Sequence, residues 1–286
     1  MGKVGQAMKP ADAPALREEE NMIAENRAAA DRDHLHRVKY FHDADASRYR
    51  ADRYQWETCE GLAYVTRRQI VLAMADAAPG RVLDVGCGPG IFTRDLLQKG
   101  HEVLSADLSM GMIREARRTA SAATCAAEPH FVVSDASRIC VSGDCMDMVL
   151  SIGLMCYVKD HRGVLSEILR VLKPGGVAVI QVNNIRWPAL YRAFVPLYRR
   201  LKTLIGAKRY DGLDFDFNFS SRKRFLDDIA VSGLQVLDIE HYDFRLPFAD
   251  ILLPRLSVRM GKLMFSGRHR RLCRWFSHGL LIKVRK

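Results

Sequence analysis

The sequence predicts an α/β fold: a seven-stranded, mostly parallel sheet with helices on both faces and a helical lid inserted late in the chain. Three observations carry that expectation. From residue 81 onward, short apolar runs alternate with segments of helical period, the pattern left by parallel strands joined through crossover helices. The first of those runs ends in a glycine cluster, Gly86-Cys87-Gly88-Pro89-Gly90. Finally, 286 residues with 48% apolar content suffice to bury one substantial core, so a single decorated domain is the default.

Taken in order, residues 1–33 are rich in Ala, Glu, Arg and Asp without sustained apolar periodicity and read as a mobile arm or frayed helix ahead of a domain spanning 34–286. Tyr40 to Ala78 carries aromatic and aliphatic residues at spacings of amphipathic helices. Arg81 to Val85 reads as the first strand, and Phe92 to Lys99 as a helix closed by Gly100. Further strands are expected at Val103 to Ala106, Phe131 to Val133, Met148 to Ile152 and Val177 to Val182, with helices at Met110 to Ala120 and Val164 to Leu172. The last of these helices stops at Lys173-Pro174-Gly175-Gly176. After an insertion at about 183–219, a helix near Arg222 to Ser232, a strand at Leu234 to His241, a second insertion at about 244–276 and a strand at Leu280 to Val284 complete the set.

Composition narrows the function classes. The net charge of +11 is regional: residues 184–210 hold seven Arg or Lys and residues 255–286 hold ten, with no acid in either stretch, so the remainder of the chain is net acidic. The seven cysteines are scattered without a C-x-x-C pair, which argues against a zinc site or a redox dithiol, and no metal is expected. No run is long and apolar enough to span a bilayer, and no leader pattern opens the chain; a cytoplasmic location, with peripheral membrane contact as an option, is the expectation.

The chemistry concentrates in Val82-Leu83-Asp84-Val85-Gly86-Cys87-Gly88-Pro89-Gly90. Glycines at alternate positions permit positive φ and close backbone approach to a ligand. The register is G-x-G-x-G, not the G-x-G-x-x-G of dinucleotide sites, and no Gly-Lys-Ser/Thr follows to cradle a triphosphate. Asp84, two residues before the first glycine, would repel a pyrophosphate and attract a cationic amino group. Asp107, seventeen residues after Gly90, sits where a strand ends, a position from which a carboxylate can accept both hydroxyl protons of a ribose.

This segment resembles the first motif of the class I S-adenosylmethionine-dependent methyltransferases. Ala106-Asp107-Leu108-Ser109, the helix from Met110, Val132-Val133-Ser134-Asp135-Ala136, the fourth strand and the Lys173-Pro174-Gly175-Gly176 turn extend the resemblance over about residues 80–182. It implies a Rossmann-like fold and S-adenosylmethionine as cofactor. It further implies that Gly86, Cys87, Gly88 and Gly90 wrap the amino acid part of the cofactor, with Asp84 at its amino end, and that Asp107 holds the ribose. Leu108 and Met110 or its neighbours would lie along the adenine, Asp135 and Ala136 at its exocyclic amine, and Ser151 at the end of the fourth strand. Cys87 and Pro89 also read simply as residues that shape the loop.

Such an enzyme aligns nucleophile, methyl and sulfur, and removes a proton where the acceptor is a hydroxyl. His161 and Tyr157 are the nearest titratable candidates for that work; equally, Tyr157 reads as packing and His161 as the start of a helix capped by Asp160. The family's Asn/Asp-Pro-Pro-aromatic motif is missing after the fourth strand, which disfavours amine acceptors of adenine or glutamine type, and Cys156 lacks the preceding proline of cytosine methylation.

Both insertions interleave aromatic and aliphatic residues with Arg and Lys. They read as a lid over the acceptor, as a surface for anionic membrane suited to a lipid-like acceptor, or as a nucleic-acid groove. The expected function is methyl transfer to a small or lipophilic acceptor, at oxygen, against the alternatives of an RNA methyltransferase and a non-catalytic scaffold that keeps the cofactor fold.

Overall fold

The structure is a computed structural model that describes residues 13–55, 57–122, 128–184, 196, 197, 200, 218, 221–244, 253–265 and 277–286. Its strands are β1 (Arg81–Val85), β2 (Glu102–Asp107), β3 (His130–Val133), β4 (Met146–Ser151), β5 (Leu172–Asn183), β6 (Gln235–Phe244) and β7 (Ser277–Arg285). The helices are α1 (Ala13–Arg53), α2 (Cys59–Met74), α3 (Ile91–Gln98), α4 (Met110–Ser121), α5 (His161–Val171), α6 (Arg222–Ser232) and α7 (Pro254–Phe265).

The seven strands form one sheet in the order β3-β2-β1-β4-β5-β7-β6, parallel except for β7, which runs antiparallel between β5 and β6. Successive side chains of a strand point to opposite faces, and here both faces are apolar. Leu83, Val149, Ala178, Ile180 and Ile282 enter one core with α5 and α6. Their strand neighbours Val82, Met148, Leu150, Val179 and Leu281 enter a second core with α2 and α3. Burial on both faces is why these strands read as continuous apolar runs in the sequence.

Side chains at the helix starts fix where several of the helices begin. Thr58 accepts the Gly61 N–H at 2.9 Å, Ser109 the Met112 N–H at 3.0 Å and Asp160 the Gly163 N–H at 3.1 Å. At the Lys173-Pro174-Gly175-Gly176 turn the β4–β5 pairing jumps from Met146↔Leu172 to Met148↔Val177, so these four residues loop out of an otherwise continuous ladder, with Gly175 at φ 79°.

One feature departs from the sequence reading. The boundary drawn between an arm at 1–33 and a domain at 34–286 falls inside α1, one helix that runs from Ala13 to Arg53. Residues 29 to 37 are polar enough to look unstructured, yet the helix is anchored by groups the sequence does not mark as partners: His34 Nε2 bonds the Tyr157 carbonyl oxygen at 2.8 Å, and Lys159 Nζ pairs with Asp31 at 3.1 Å. Of the two insertions taken as a lid, α7 and isolated residues such as Asn218 are described; the rest, including most of Tyr210 to Phe219, lies outside the described residues.

Candidate functional site

A parallel sheet whose crossovers reverse direction leaves a crevice at the carboxyl ends of the strands on either side of the reversal. Here the reversal falls between β1, which leads outward to β2 and β3, and β4, which leads the other way. A cleft opens at that point, floored by the loops after β1, β2, β3 and β4 and roofed by α1 through Leu35, Val38, Lys39, His42 and Tyr49.

The glycine loop divides its labour. Gly86 (φ 70°) and Gly88 (φ 53°) line the cleft, and a Cβ added to Gly88 would meet nothing within 4 Å, so bare backbone faces the open space. Gly90 (φ 74°) does not line the cleft. A Cβ there would lie 2.8 Å from the Ala116 Cα, so this glycine lets α3 start against α4. Cys87 points away from the cleft into a small cluster with Ile113, Ala116 and Phe131, and burial raises its thiol well above the ordinary range.

The acidic positions separate in the same way. Asp107 lines the cleft; one carboxylate oxygen accepts the Gly88 N–H at 2.9 Å and the other the Ser109 N–H at 2.8 Å. Desolvation raises its pKa while those two N–H donors hold the rise back. Each oxygen keeps a lone pair for a ligand hydroxyl. Asp135 lines the cleft at the end of β3, accepting the Ser137 N–H at 2.9 Å, with Ala136 beside it.

Asp84 lies beneath the loop, not in the cleft. It is 1% exposed, and its carboxylate accepts the Thr93 hydroxyl at 2.9 Å, which in turn meets the Ser105 hydroxyl at 2.8 Å. Period-2 alternation puts it on the Val82 face, toward α3. Burial first, and the Asp107 charge among the smaller causes, push its pKa up to about 7. Its hydrogen bonds tie β1 to α3 and, through Thr93, to β2.

Met110, expected along a bound base, is 44% exposed on the first turn of α4 and outside the cleft; Leu108, Ser109 and the buried Met112 line it instead. The register is shifted because Ser109 caps the helix, so Met112, three residues on, is the first methionine to face inward. Ser151 is fully buried within β4, and Ile152, Gly153 and Leu154 after it reach the cleft.

The two catalytic candidates part company. Tyr157 lines the cleft, 4.8 Å edge-on from the His42 ring, with its phenol pushed up by burial. His161 does not. It opens α5, packs edge-on against Phe225, and its Nε2 bonds the Met155 carbonyl oxygen at 2.9 Å; burial lowers its pKa. The ring holds the β4–α5 loop to the helix, which is the structural alternative that its sequence context already allowed.

His42 is a titratable group in the cleft that sequence reasoning missed. Burial, helped by the nearby Arg53 charge, pushes its pKa down to about 4, so the imidazole is neutral at physiological pH. The signal was present in the stripe Leu35, Val38, His42, Ala46 and Tyr49, spaced three and four apart as on one helix face. Asp43, one residue on, accepts the Ser109 hydroxyl at 2.5 Å and the Gly111 N–H at 2.8 Å, fastening α1 to the start of α4.

A seven-stranded sheet of this order, with a glycine loop and an acid at the end of β2 facing one crevice, defines an α/β protein built to hold a nucleoside-containing ligand. Comparison with known proteins narrows the class. Residues 83–180 match the family model described as a methyltransferase domain. The chain is 32% identical to a demethylmenaquinone methyltransferase of Beutenbergia cavernae over 173 residues, 58% of this chain and 68% of that protein. It is 36% identical to a malonyl-[acyl-carrier protein] O-methyltransferase of Salmonella typhimurium over 96 residues, 34% of this chain and 36% of the relative. A third relative, of that same name from Enterobacter lignolyticus, is 31% identical over 63% of both chains. The chain thus spans between about a third and two thirds of the length of these two O-methyltransferases. Among solved structures, the complex of the Trm112 methyltransferase activator with a methyltransferase from Haloferax volcanii matches with TM-score 0.58 at 21% identity, over 85% of this chain and 96% of that one. A geranyl diphosphate methyltransferase in complex with its diphosphate and sinefungin matches with TM-score 0.55 at 17% identity, over 79% of both; these two likenesses bear on the fold. The chain belongs to the class I S-adenosylmethionine-dependent methyltransferase family.

Proposed function

We propose that the protein transfers the methyl group of S-adenosylmethionine to oxygen on a small or lipophilic acceptor. One observation carries the reading: Gly86, Gly88, Asp107 and Asp135 line the same cleft as Gly153, Tyr157, His42 and Tyr49. The first set fits the cofactor. The backbone at Gly88 is open to a ligand, and Asp107, already oriented by two N–H donors, has the acceptor capacity for two ribose hydroxyls. Leu108 and Met112 would flank the base, and Asp135 with the Ala136 backbone would meet its edge.

Bound S-adenosylmethionine supplies a methyl group on a positively charged sulfur, ready for in-line displacement. What remains for the protein is alignment and exclusion of water, and α1 roofs the cleft for both. At the acceptor end, neutral His42 can accept a hydrogen bond from an acceptor hydroxyl, and Tyr157 can donate one. Oxygen as the accepting atom is supported by the O-methyltransferases among the relatives.

A peripheral membrane contact belongs to the same proposal. Among the described residues no helix is long and apolar enough to cross a membrane. Helix α7, however, exposes Leu256 and Leu263 together with Arg255, Arg259 and Lys262, and Leu253 just before it is also exposed, the composition of a helix that lies in an anionic interface.

The experiment is transfer of labelled methyl from S-adenosylmethionine into a cell extract separated into lipid, RNA, protein and small-molecule fractions, with Asp107→Ala as the control. Label is expected in the lipid or small-molecule fraction. In calorimetry Asp107→Ala should bind S-adenosylhomocysteine roughly tenfold to a hundredfold more weakly, the loss of hydrogen bonds to a charged group. Label in RNA would replace the acceptor class, and cofactor binding without any transfer would favour a scaffold.

A further inference from the structure

Arg67, on α2, is 8% exposed and lies behind Gly153, a residue that lines the cleft. A Cβ on the cleft-lining Gly153 would stand 3.6 Å from its Nη1 and 3.9 Å from Gln181 Oε1. Tyr49, Tyr54, Tyr64 and Tyr242 surround it. The guanidinium lies 4.4 Å from the Tyr64 ring centre, with the Tyr54 and Tyr242 phenols close enough to feel its charge. Burial pushes all four phenols up, Tyr64 to about 12, so none offsets the positive charge at neutral pH.

The other buried or half-buried arginines nearby have acids. Arg68 holds Asp95 with two hydrogen bonds of 2.5 and 2.7 Å, and Arg53 holds Asp45 at 2.5 Å. Arg67 has no carboxylate within ion-pairing distance among the described residues, and its buried Nε has no hydrogen-bond partner. A buried charge without a counter-ion is costly to hold in a folded protein, and such a charge beside a cleft is where an anionic ligand gains most.

Resting on the reading of the cleft as a methyltransferase site, we propose that Arg67 and its ring of tyrosines recognise a carboxylate on the methyl acceptor, so the substrates are carboxylate-bearing molecules with an apolar body. A guanidinium presents parallel N–H donors that match the two oxygens of a carboxylate, and one unpaired cation balances one negative charge, whereas a phosphate dianion would leave one over. Ile152 and Leu154 beside Gly153 supply the apolar wall for the rest of the acceptor.

The test uses the full chain saturated with S-adenosylhomocysteine and follows the melting temperature during titration with sodium octanoate, octanol, octyl phosphate and matched sodium chloride. Octanoate should raise the melting temperature with saturation, and octanol and chloride should not. Arg67→Met should lose the octanoate response, its apparent affinity falling at least tenfold, yet melt at or above the wild type without ligand because an unpaired buried charge has gone. Arg67→Lys, which keeps the charge without the fork, should respond in part. Equal responses to octanoate and octanol, no response to octanoate, or an unchanged response in Arg67→Met would overturn the proposal. A stronger response to octyl phosphate would overturn its carboxylate half. Calorimetry with S-adenosylhomocysteine on the same samples keeps two failures apart: no cofactor binding defeats the methyltransferase reading, and cofactor binding without a carboxylate response defeats the Arg67 site alone.

Discussion

A carboxyl group shut away from water either keeps its proton or finds donors, and Asp84 has one donor, the Thr93 hydroxyl. Its pKa of about 7 in the folded protein, against 3.8 when free, means that the native state binds this proton more tightly than the unfolded chain. Asp84 therefore contributes full stability below pH 4 and loses it progressively as pH rises to 7. Asp84→Asn, a permanent mimic of the protonated group, should flatten the stability profile across that window and be the more stable protein at pH 8, by an amount on the order of a few kcal/mol. Urea melts at pH 5, 6, 7 and 8 decide it; parallel profiles for the two proteins would sink the idea. His161 supplies the opposite kind of test. Its ring bonds a carbonyl and packs on Phe225, so His161→Gln should cost about 1 to 2 kcal/mol of stability and leave kcat near the wild-type value, whereas a kcat loss of a hundredfold or more in folded protein would restore it to catalysis.

At the scale of elements, α1 gives the cleft its roof, and what holds it there is a short set of contacts at either side of the opening. His34 and Asp31 hold one side to the loop before α5, and Asp43 holds the other to α4. Asp43→Ala together with His34→Ala should release the helix: amide exchange across residues 30–50 should speed at least tenfold, and S-adenosylhomocysteine should bind more weakly while dissociating faster. Unchanged exchange would mean that the apolar stripe alone holds the helix. These anchors also mark the limit of legibility in the sequence. β1, β2, β4 and the glycine loop were readable because burial on both faces writes an unbroken apolar run and positive φ selects glycine. Asp107 and Asp135 were readable because they end strands. Which of Asp84 and Asp107 lines the cleft was not, since the register places both on the same face of the sheet and they differ in depth, Asp107 ending β2 while Asp84 stops one residue short of the end of β1. The roof was missed for a related reason: His34 and Asp43 are polar residues on a polar helix until a carbonyl arrives from 123 residues away and a helix start from 66.

For the whole molecule, the uneven charge is the property to explain, because the sheet and the cleft make no demand for it. The first basic stretch begins directly after β5 and the second eleven residues after β6, where α7 packs on α2 and β6 through Ser257, Val258 and Gly261 while Leu256 and Leu263 stay outward among Arg255, Arg259 and Lys262. A purely solvated helix gains nothing from outward leucines, and a helix resting on an anionic interface gains from both the leucines and the cations, each basic residue contributing about 1 kcal/mol near the surface. Sedimentation with vesicles should therefore require anionic lipid and weaken as salt rises. Changing Arg255, Arg259 and Lys262 to Gln should remove most of the lipid-dependent binding, and changing Leu256 and Leu263 to Ser should remove it even at low salt. Binding that survives the loss of the cations but not of the leucines would make the contact an apolar one, indifferent to headgroup charge. Binding lost with neither would return α7 to the role of a basic outer layer on the sheet, and the acceptor would have to reach the cleft from water.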